Sequence, residues 1–241
     1  MPRFYCPAPL AVGAIVTLPE AVAHHVQVLR LAPGQIVTLF NGDGGEYSAT
    51  LDNIAKRSVS AEVKAHHPRE VELPFAVTLA QALPEAAKMD WIVEKAVELG
   101  ASGIVPLAAQ RCVVRLSAER AEKRLAHWQG IIVSASEQSG RNRLAQLGQL
   151  QDYKQWITQQ DMHKRIVLSP RGGQSLADWA RHQGPQAVTL VVGPEGGLSE
   201  DEENAALAHG ALALGMGPRI LRTETAGLAA LATLAACWGQ V

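Results

Sequence analysis

Several common signatures are scarce or missing in this sequence, and each absence narrows the reading. Cysteine occurs three times, as Cys6, Cys112 and Cys237. The three are far apart and form no CxxC pair, so neither a disulfide framework nor a metal site is indicated. Charge of one sign is not in excess: 22 Lys and Arg face 23 Asp and Glu, for a net charge of −1. No global basic field announces a nucleic-acid partner, although local patches remain open. No apolar run reaches the ~18 residues of a membrane span. The opening "MPRFYCPAPL" has no charged-then-apolar export pattern, so no membrane association and a cytoplasmic location are expected. Aromatic residues make up only 5%, which leaves few platforms for stacking on bare single strands.

What is present is an ordinary globular composition, 47% hydrophobic over 241 residues, enough for one large domain or two small ones. The two parts of the chain differ in period. From Gln35 to Val63, apolar and polar residues alternate, as in Tyr47, Ala49, Leu51 and again in Val59, Ala61, Val63. The turn "NGDGG", Asn41 to Gly45, sits between two such runs and tolerates positive φ. A small antiparallel sheet or barrel is expected over residues 1–70. The polar stretch "HHPREVELP", with Pro68 and Pro74, marks the boundary.

From residue 74 to 241, apolar runs alternate with helical segments. "FAVTLAQAL", "SGIVPLAA", "RIVLSP", "QAVTLVVGP" and "GALALGMG" read as buried strands. Helices are expected near Lys88–Leu99 and after Ser117, where Leu125, Trp128, Ile132 and Ala135 fall at helical spacing. Such alternation implies an α/β fold with a parallel sheet covered on both faces. Ligands of these sheets bind beyond the carboxyl ends of the strands, which points to "LSPRGG", "VGPEGG" and "GMGPRILRTETAG".

A phosphate cradle is the first reading for "VVGPEGGLSEDE". It lacks the Lys-Ser/Thr of a P-loop and the G-x-G-x-x-G of a dinucleotide site. Ser199 and Glu202 instead form an S-x-x-E capping box, and the acids suit the dipole of their own helix. Alone, the glycines need only make a tight turn. A second Gly/Pro turn, with Arg219, Arg222 and a Thr-Glu-Thr in which Thr223 or Thr225 is a candidate N-cap, favours a ligand cleft.

These two blocks resemble the carboxy-terminal signatures of the SPOUT RNA methyltransferases, and most closely the bacterial 16S ribosomal RNA (uracil-N3)-methyltransferase family. "MPRFYCP", "HHVQVLRLAPGQIVTLFNGDG", "KMDWIVEKAVELG", "QRCVVRL" and "EQSGRNR" follow the family's order along nearly the whole chain. Gln35, where an acid is common, and the weakly basic "PEAAK" depart from it. The resemblance implies a parallel sheet with a carboxy-terminal deep trefoil knot, preceded by a small PUA-like RNA-binding barrel. It implies S-adenosylmethionine as cofactor and 16S ribosomal RNA of the small subunit as substrate, methylated on a uridine ring nitrogen. Around the cofactor it implies Leu168, Ser169, Pro170, Gly193, Pro194, Glu195, Gly196, Leu214, Gly215, Ile220, Leu221, Thr223, Thr225 and Ala226.

The imide nitrogen must lose a proton, and negative charge then spreads onto the flanking carbonyls. Arg222 is the candidate for stabilising that charge, with Glu224 and Glu137 as candidate proton acceptors. Glu137 reads equally well as a helix-end partner of Arg141 or Arg143. Candidate RNA contacts are Arg3, Arg30, Arg111, Arg141, Arg143 and Arg171. The last helix, "ETAGLAALATLAACWG", is apolar nearly all round; the resemblance implies a homodimer, expected to bury Leu228, Leu231 and Trp238. The alternative is a non-catalytic RNA-binding protein that keeps the fold; an enzyme acting on a small molecule leaves the barrel and the arginine-rich loop without a task.

Overall fold

A computed structural model describes residues 1–55, 58–85 and 87–239. The chain divides into two compact units: Met1–Glu72 with Ser136–Leu144, and Leu73–Ala135 with the chain from Ala145 onward. None of the helices described is long and apolar enough to cross a membrane.

The first unit contains β1 (Arg3–Tyr5), β2 (Ile15–Thr17), α1 (Glu20–Val28), β3 (Ile36–Phe40), β4 (Glu46–Ile54) and β5 (Val59–His67). The sheet order is β1-β3-β4-β5-β2. As the alternation predicts, β3, β4 and β5 pair antiparallel, with "NGDGG" between β3 and β4. Register shifts at Ser48/Ala49 and Leu51/Ile54 bend β4 and let the sheet curl. The sheet is mixed rather than wholly antiparallel, because β1 joins β3 in parallel, Arg3 opposite Thr38. Among the described residues no ladder links β1 to β2, so the sheet is not closed by hydrogen bonds. Its core gathers Phe4, Val37, Leu39, Ala49, Leu51 and Val63 with Val22, Ala23 and Val26 of α1.

The second unit begins with β6 (Val77–Ala82), α2 (Lys88–Glu98), β7 (Gly103–Ala108) and α3 (Ala118–Ser139). Short elements follow: β8 (Gln146–Leu147), β9 (Gln151–Asp152) and α4 (Tyr153–Ile157). Then come β10 (Lys164–Leu168), β11 (Gln174–Ser175), α5 (Leu176–His182), β12 (Val188–Val192), α6 (Glu200–Ala208), β13 (Leu212–Gly215) and α7 (Thr223–Trp238). The sheet runs β11-β13-β10-β12-β6-β7-β8, with β9 also on β7, and every described pair in it is parallel. All of Val188–Val192 is buried, as expected for a central strand covered on both faces. On α2, Met89, Ile92, Val93 and Ala96 face the core together.

α7 packs against α2, α5, β6 and β12. Leu228, Leu231 and Trp238 are buried within this one chain. The Trp238 indole donates to the carbonyls of Ala180 at 2.8 Å and Gln183 at 3.0 Å, and its ring meets Phe75 edge-on. The expectation that these three residues face a second copy is therefore corrected. An almost wholly apolar helix spends its large side chains inside the protomer, and only small residues such as Ala232 and Ala236 stay exposed.

Candidate active site

The turns after β10, β12 and β13 border one cavity of about 610 Å³ at the carboxyl ends of their strands. Parallel pairing of β10 with both β12 and β13 brings these three strand ends together. Leu168, Ser169, Pro170, Gly193, Pro194, Glu195, Gly196, Ile220, Leu221, Thr223 and Ala226 all line the cavity. Leu214, Gly215 and Thr225 are not among its lining residues. Leu214 is a strand residue 3% exposed, paired with Leu168 and Gln174, and Gly215 pairs with Ser175. Val192, Met216 and Arg219 also line it, within the turns the sequence points to, while Val167, Leu198, Glu200 and Glu203 lie outside those turns.

The glycine turn is tightly closed. A Cβ on Gly193 would sit 2.7 Å from the Leu198 nitrogen and 2.9 Å from the Gly197 carbonyl carbon, so only glycine fits. The turn is fastened to α7 by a buried polar relay. The Gln81 amide donates to Thr223 Oγ1 at 2.9 Å, and that hydroxyl donates to the Gly193 carbonyl at 2.6 Å. Thr223 is thus a bolt rather than a helix cap. The N-cap position belongs to Arg222, whose side chain makes no capping bond.

The acids of α6 divide into separate tasks. Ser199 and Glu202 form the capping box as the pattern predicts. Glu202 is 1% exposed, and its other oxygen accepts from the Gln110 amide at 2.7 Å. Glu203 pairs with Arg171, so this acid does more than polarise its helix. Glu200 and Glu203 both line the cavity.

Glu195 takes the Lys88 ammonium at 2.6 Å and the Glu85 amide at 3.0 Å. Burial works to raise its carboxyl, but these bonds and the Lys88 charge outweigh it and hold Glu195 below the usual carboxylate range. The same bond holds Lys88 above the usual lysine value. Lys88 Nζ also lies 3.9 Å from Glu224 Oε2, an oxygen that is buried and has no hydrogen-bond partner among the described residues. Arg222 and Glu224 share the cavity wall.

The remaining predicted residues are placed as follows. Arg111 and Arg171 line the cavity. Arg3, Arg30, Arg141, Arg143 and Glu137 belong to the first unit. There Glu137 Oε1 accepts from the Tyr5 amide at 2.8 Å. Arg141 is 3% exposed and paired with Glu72, while Arg3 binds Glu46 and the side chain of Asn142. Arg143 is more open, 3.6 Å from Glu70, and Arg30 is exposed just beyond α1.

Two family models match this chain: an RNA methyltransferase domain over residues 71–235 and an RNA methyltransferase PUA domain over residues 18–64. Ribosomal RNA small subunit methyltransferase E of Bacillus subtilis is 35% identical over 222 residues, 89% of this chain and 87% of that protein. The protein of the same name from Synechocystis is 33% identical, over 92% of this chain and 73% of its own length. Among solved structures, Neisseria gonorrhoeae ribosomal RNA small subunit methyltransferase E bound to S-adenosylmethionine superposes with a TM-score of 0.93 at 40% identity, covering 99% of this chain and 98% of that one. A putative methyltransferase from Legionella pneumophila, also with S-adenosylmethionine, gives 0.94 at 35% identity with the same coverage. With the cavity, its glycine turn and these full-length likenesses together, the chain belongs to the ribosomal RNA small subunit methyltransferase E family of RNA methyltransferases.

Proposed function

We propose that this protein transfers a methyl group from S-adenosylmethionine to ring nitrogen 3 of a uridine in 16S ribosomal RNA of the small subunit, in the cytoplasm. The observation that carries the reading is one cavity bordered by the closed glycine turn, Arg222 and Glu224. The residues present suit the cofactor. It has no phosphate, and the turn offers no phosphate-binding lysine or hydroxyl. It does carry cationic groups; of the wall's carboxylates Glu195 and Glu203 are paired with Lys88 and Arg171, and Glu224 Oε2, buried and without a hydrogen-bond partner among the described residues, is left for them. When bound, the cofactor supplies a methyl group on a positively charged sulfur.

The chain's own residues do the rest. Glycine backbone at Gly193 and Gly196 lets a nucleoside edge approach without an intervening side chain. Leu168, Ser169, Pro170, Pro194, Ile220, Leu221 and Ala226 form the remaining contacts of the cofactor, with Leu214 and Gly215 supporting the wall from their strand and Thr225 in the first turn of α7. Glu224 Oε2 is the acceptor for the imide proton. The Arg222 guanidinium offsets the charge that builds on the uracil carbonyls. Glu137, held by the Tyr5 amide, we assign to the internal bonding of the first unit.

We further propose that the segment bearing these turns is a deep trefoil knot of the SPOUT type, with domains at residues 1–70 and 74–241. The placement of β12 between β10 and β6, with the chain returning through β13 to β10, supports this. RNA is bound through Arg30 of the amino-terminal PUA-like domain and through Arg143, in the Ser136–Leu144 segment that belongs to the same compact unit. Arg3 and Arg141, engaged with Glu46 and Glu72, support that surface, and Arg171 serves the substrate at the cavity rim. The protein works as a homodimer.

Calorimetry with S-adenosylmethionine and a methyl-transfer assay on small-subunit RNA test the reading together. Wild-type protein is expected to bind the cofactor and modify one uridine. Arg222→Ala is expected to keep cofactor affinity within about threefold while losing at least about a hundredfold in turnover, the scale of an anion-stabilising donor. No cofactor uptake by the wild type leaves a non-catalytic RNA binder as the better description.

A further inference from the structure

The glycine turn after β12 has little of its own to hold it. Among the described backbone bonds within it, Gly197 donates to the Pro194 carbonyl at 2.8 Å. Gly193, Gly196 and Gly197 each have more conformational freedom to lose on ordering than any other residue type. The turn's order has to come from outside: Thr223 bolts its start at Gly193, and two cations hold the rest. Lys88, the first residue of α2, holds Glu195 Oε1 at 2.6 Å. Arg111, beyond the end of β7, donates from Nη1 to the carbonyls of Gly196 at 2.9 Å and Leu198 at 3.2 Å.

The stem of Arg111 also lies across Gly196. A Cβ at that glycine would sit 3.3 Å from Arg111 Cβ and 3.5 Å from its Cδ. Arg111 and the turn are therefore fitted to each other by packing as well as by hydrogen bonds. Charge-assisted bonds of this kind are about twice as strong as neutral ones.

We infer that Lys88 and Arg111 are positioning residues that clamp the Glu195–Leu198 turn in the shape that receives the cofactor. One acts through a side-chain carboxylate and the other through main-chain carbonyls. The clamp spans successive connections of the sheet, β6 to α2 and β7 to α3, so the first two strands of the unit fix a turn that forms much later in the chain. It gives Arg111 a role in the turn through Nη1, in place of the RNA contact expected from the sequence. The inference rests on the reading of the cavity as the methyl-donor site.

The test uses the full-length protein without ligand. Hydrogen exchange at the Gly197 amide is compared among wild type, Lys88→Met, Arg111→Met and Arg111→Lys, and cofactor affinity is then measured by calorimetry. Arg111→Met keeps a stem over Gly196 and removes the donors. It is expected to speed exchange at Gly197 and weaken cofactor binding, each about tenfold, with RNA affinity unchanged. Lys88→Met is expected to do the same, and Arg111→Lys to restore part of both. Exchange and cofactor affinity equal to wild type overturn the clamp, as does a loss confined to RNA affinity. If wild-type protein takes up no S-adenosylmethionine, the proposed function fails, while the exchange data still decide whether the clamp exists.

Discussion

Burial pushes the Glu137 carboxyl above the usual carboxylate range, against the pull of the Tyr5 amide, His25 and Arg3. Its proton is held more tightly in the folded chain than in the unfolded one. Stability therefore falls as pH rises through the window between the ordinary and the raised value, and the deficit is complete above it. Glutamine removes the charge while its carbonyl still accepts from Tyr5. Glu137→Gln is expected to melt no lower than wild type at neutral pH, with the difference vanishing below the carboxylate range; scanning calorimetry at the two pH values checks this. A collapse of methyl transfer in that variant would return Glu137 to the role of proton acceptor. Residue-scale roles were the least legible part of the sequence. Arg141 and Arg143 read alike, as two arginines of one Gly/Asn loop, yet Arg141 is buried against Glu72 and Arg143 is open. Thr223 read as a cap because its partners, Gln81 and Gly193, are distant in sequence.

Elements were legible in proportion to their length and pattern. The long apolar runs became β6, β7, β10, β12 and β13 because central parallel strands need apolar side chains on both faces. The two-residue strands β8, β9 and β11 were not foreseen, since two residues carry no period. α1 was missed because its three buried positions are too few to stand out beside the strands that follow. At α6 the local signal was complete. The capping box predicted from S-x-x-E is present with both reciprocal bonds. Ser199→Ala is expected to destabilise the fold by about 1 kcal/mol. Urea denaturation should read this as a lower midpoint at unchanged m-value.

For the whole molecule, the burial of Leu228, Leu231 and Trp238 moves the proposed dimer surface to the opposite side of α7. Thr225, Ala232 and Ala236 are exposed there at helical spacing, with Ala229 half-buried between them. Small residues permit close approach of two helices, and a charge among them forbids it. Ala232→Glu is expected to sediment as a folded monomer where the wild type sediments as a dimer; a wild-type monomer with full activity sinks the dimer. The order of the sheet also sets a timetable. β6 waits for β12, whose Val188 pairs with Val77. β10 waits for β13, and the glycine turn waits for Thr223 to bolt it. Parallel pairings between such distant segments form late and slowly, and translation delivers the chain from the amino end. A nascent chain that stops short of α7 has β6 and β12 uncovered on the face that α7 packs against, and its cavity lacks Thr223, Glu224 and Ala226. The cavity is therefore complete only once α7, the last of the described elements, is in place.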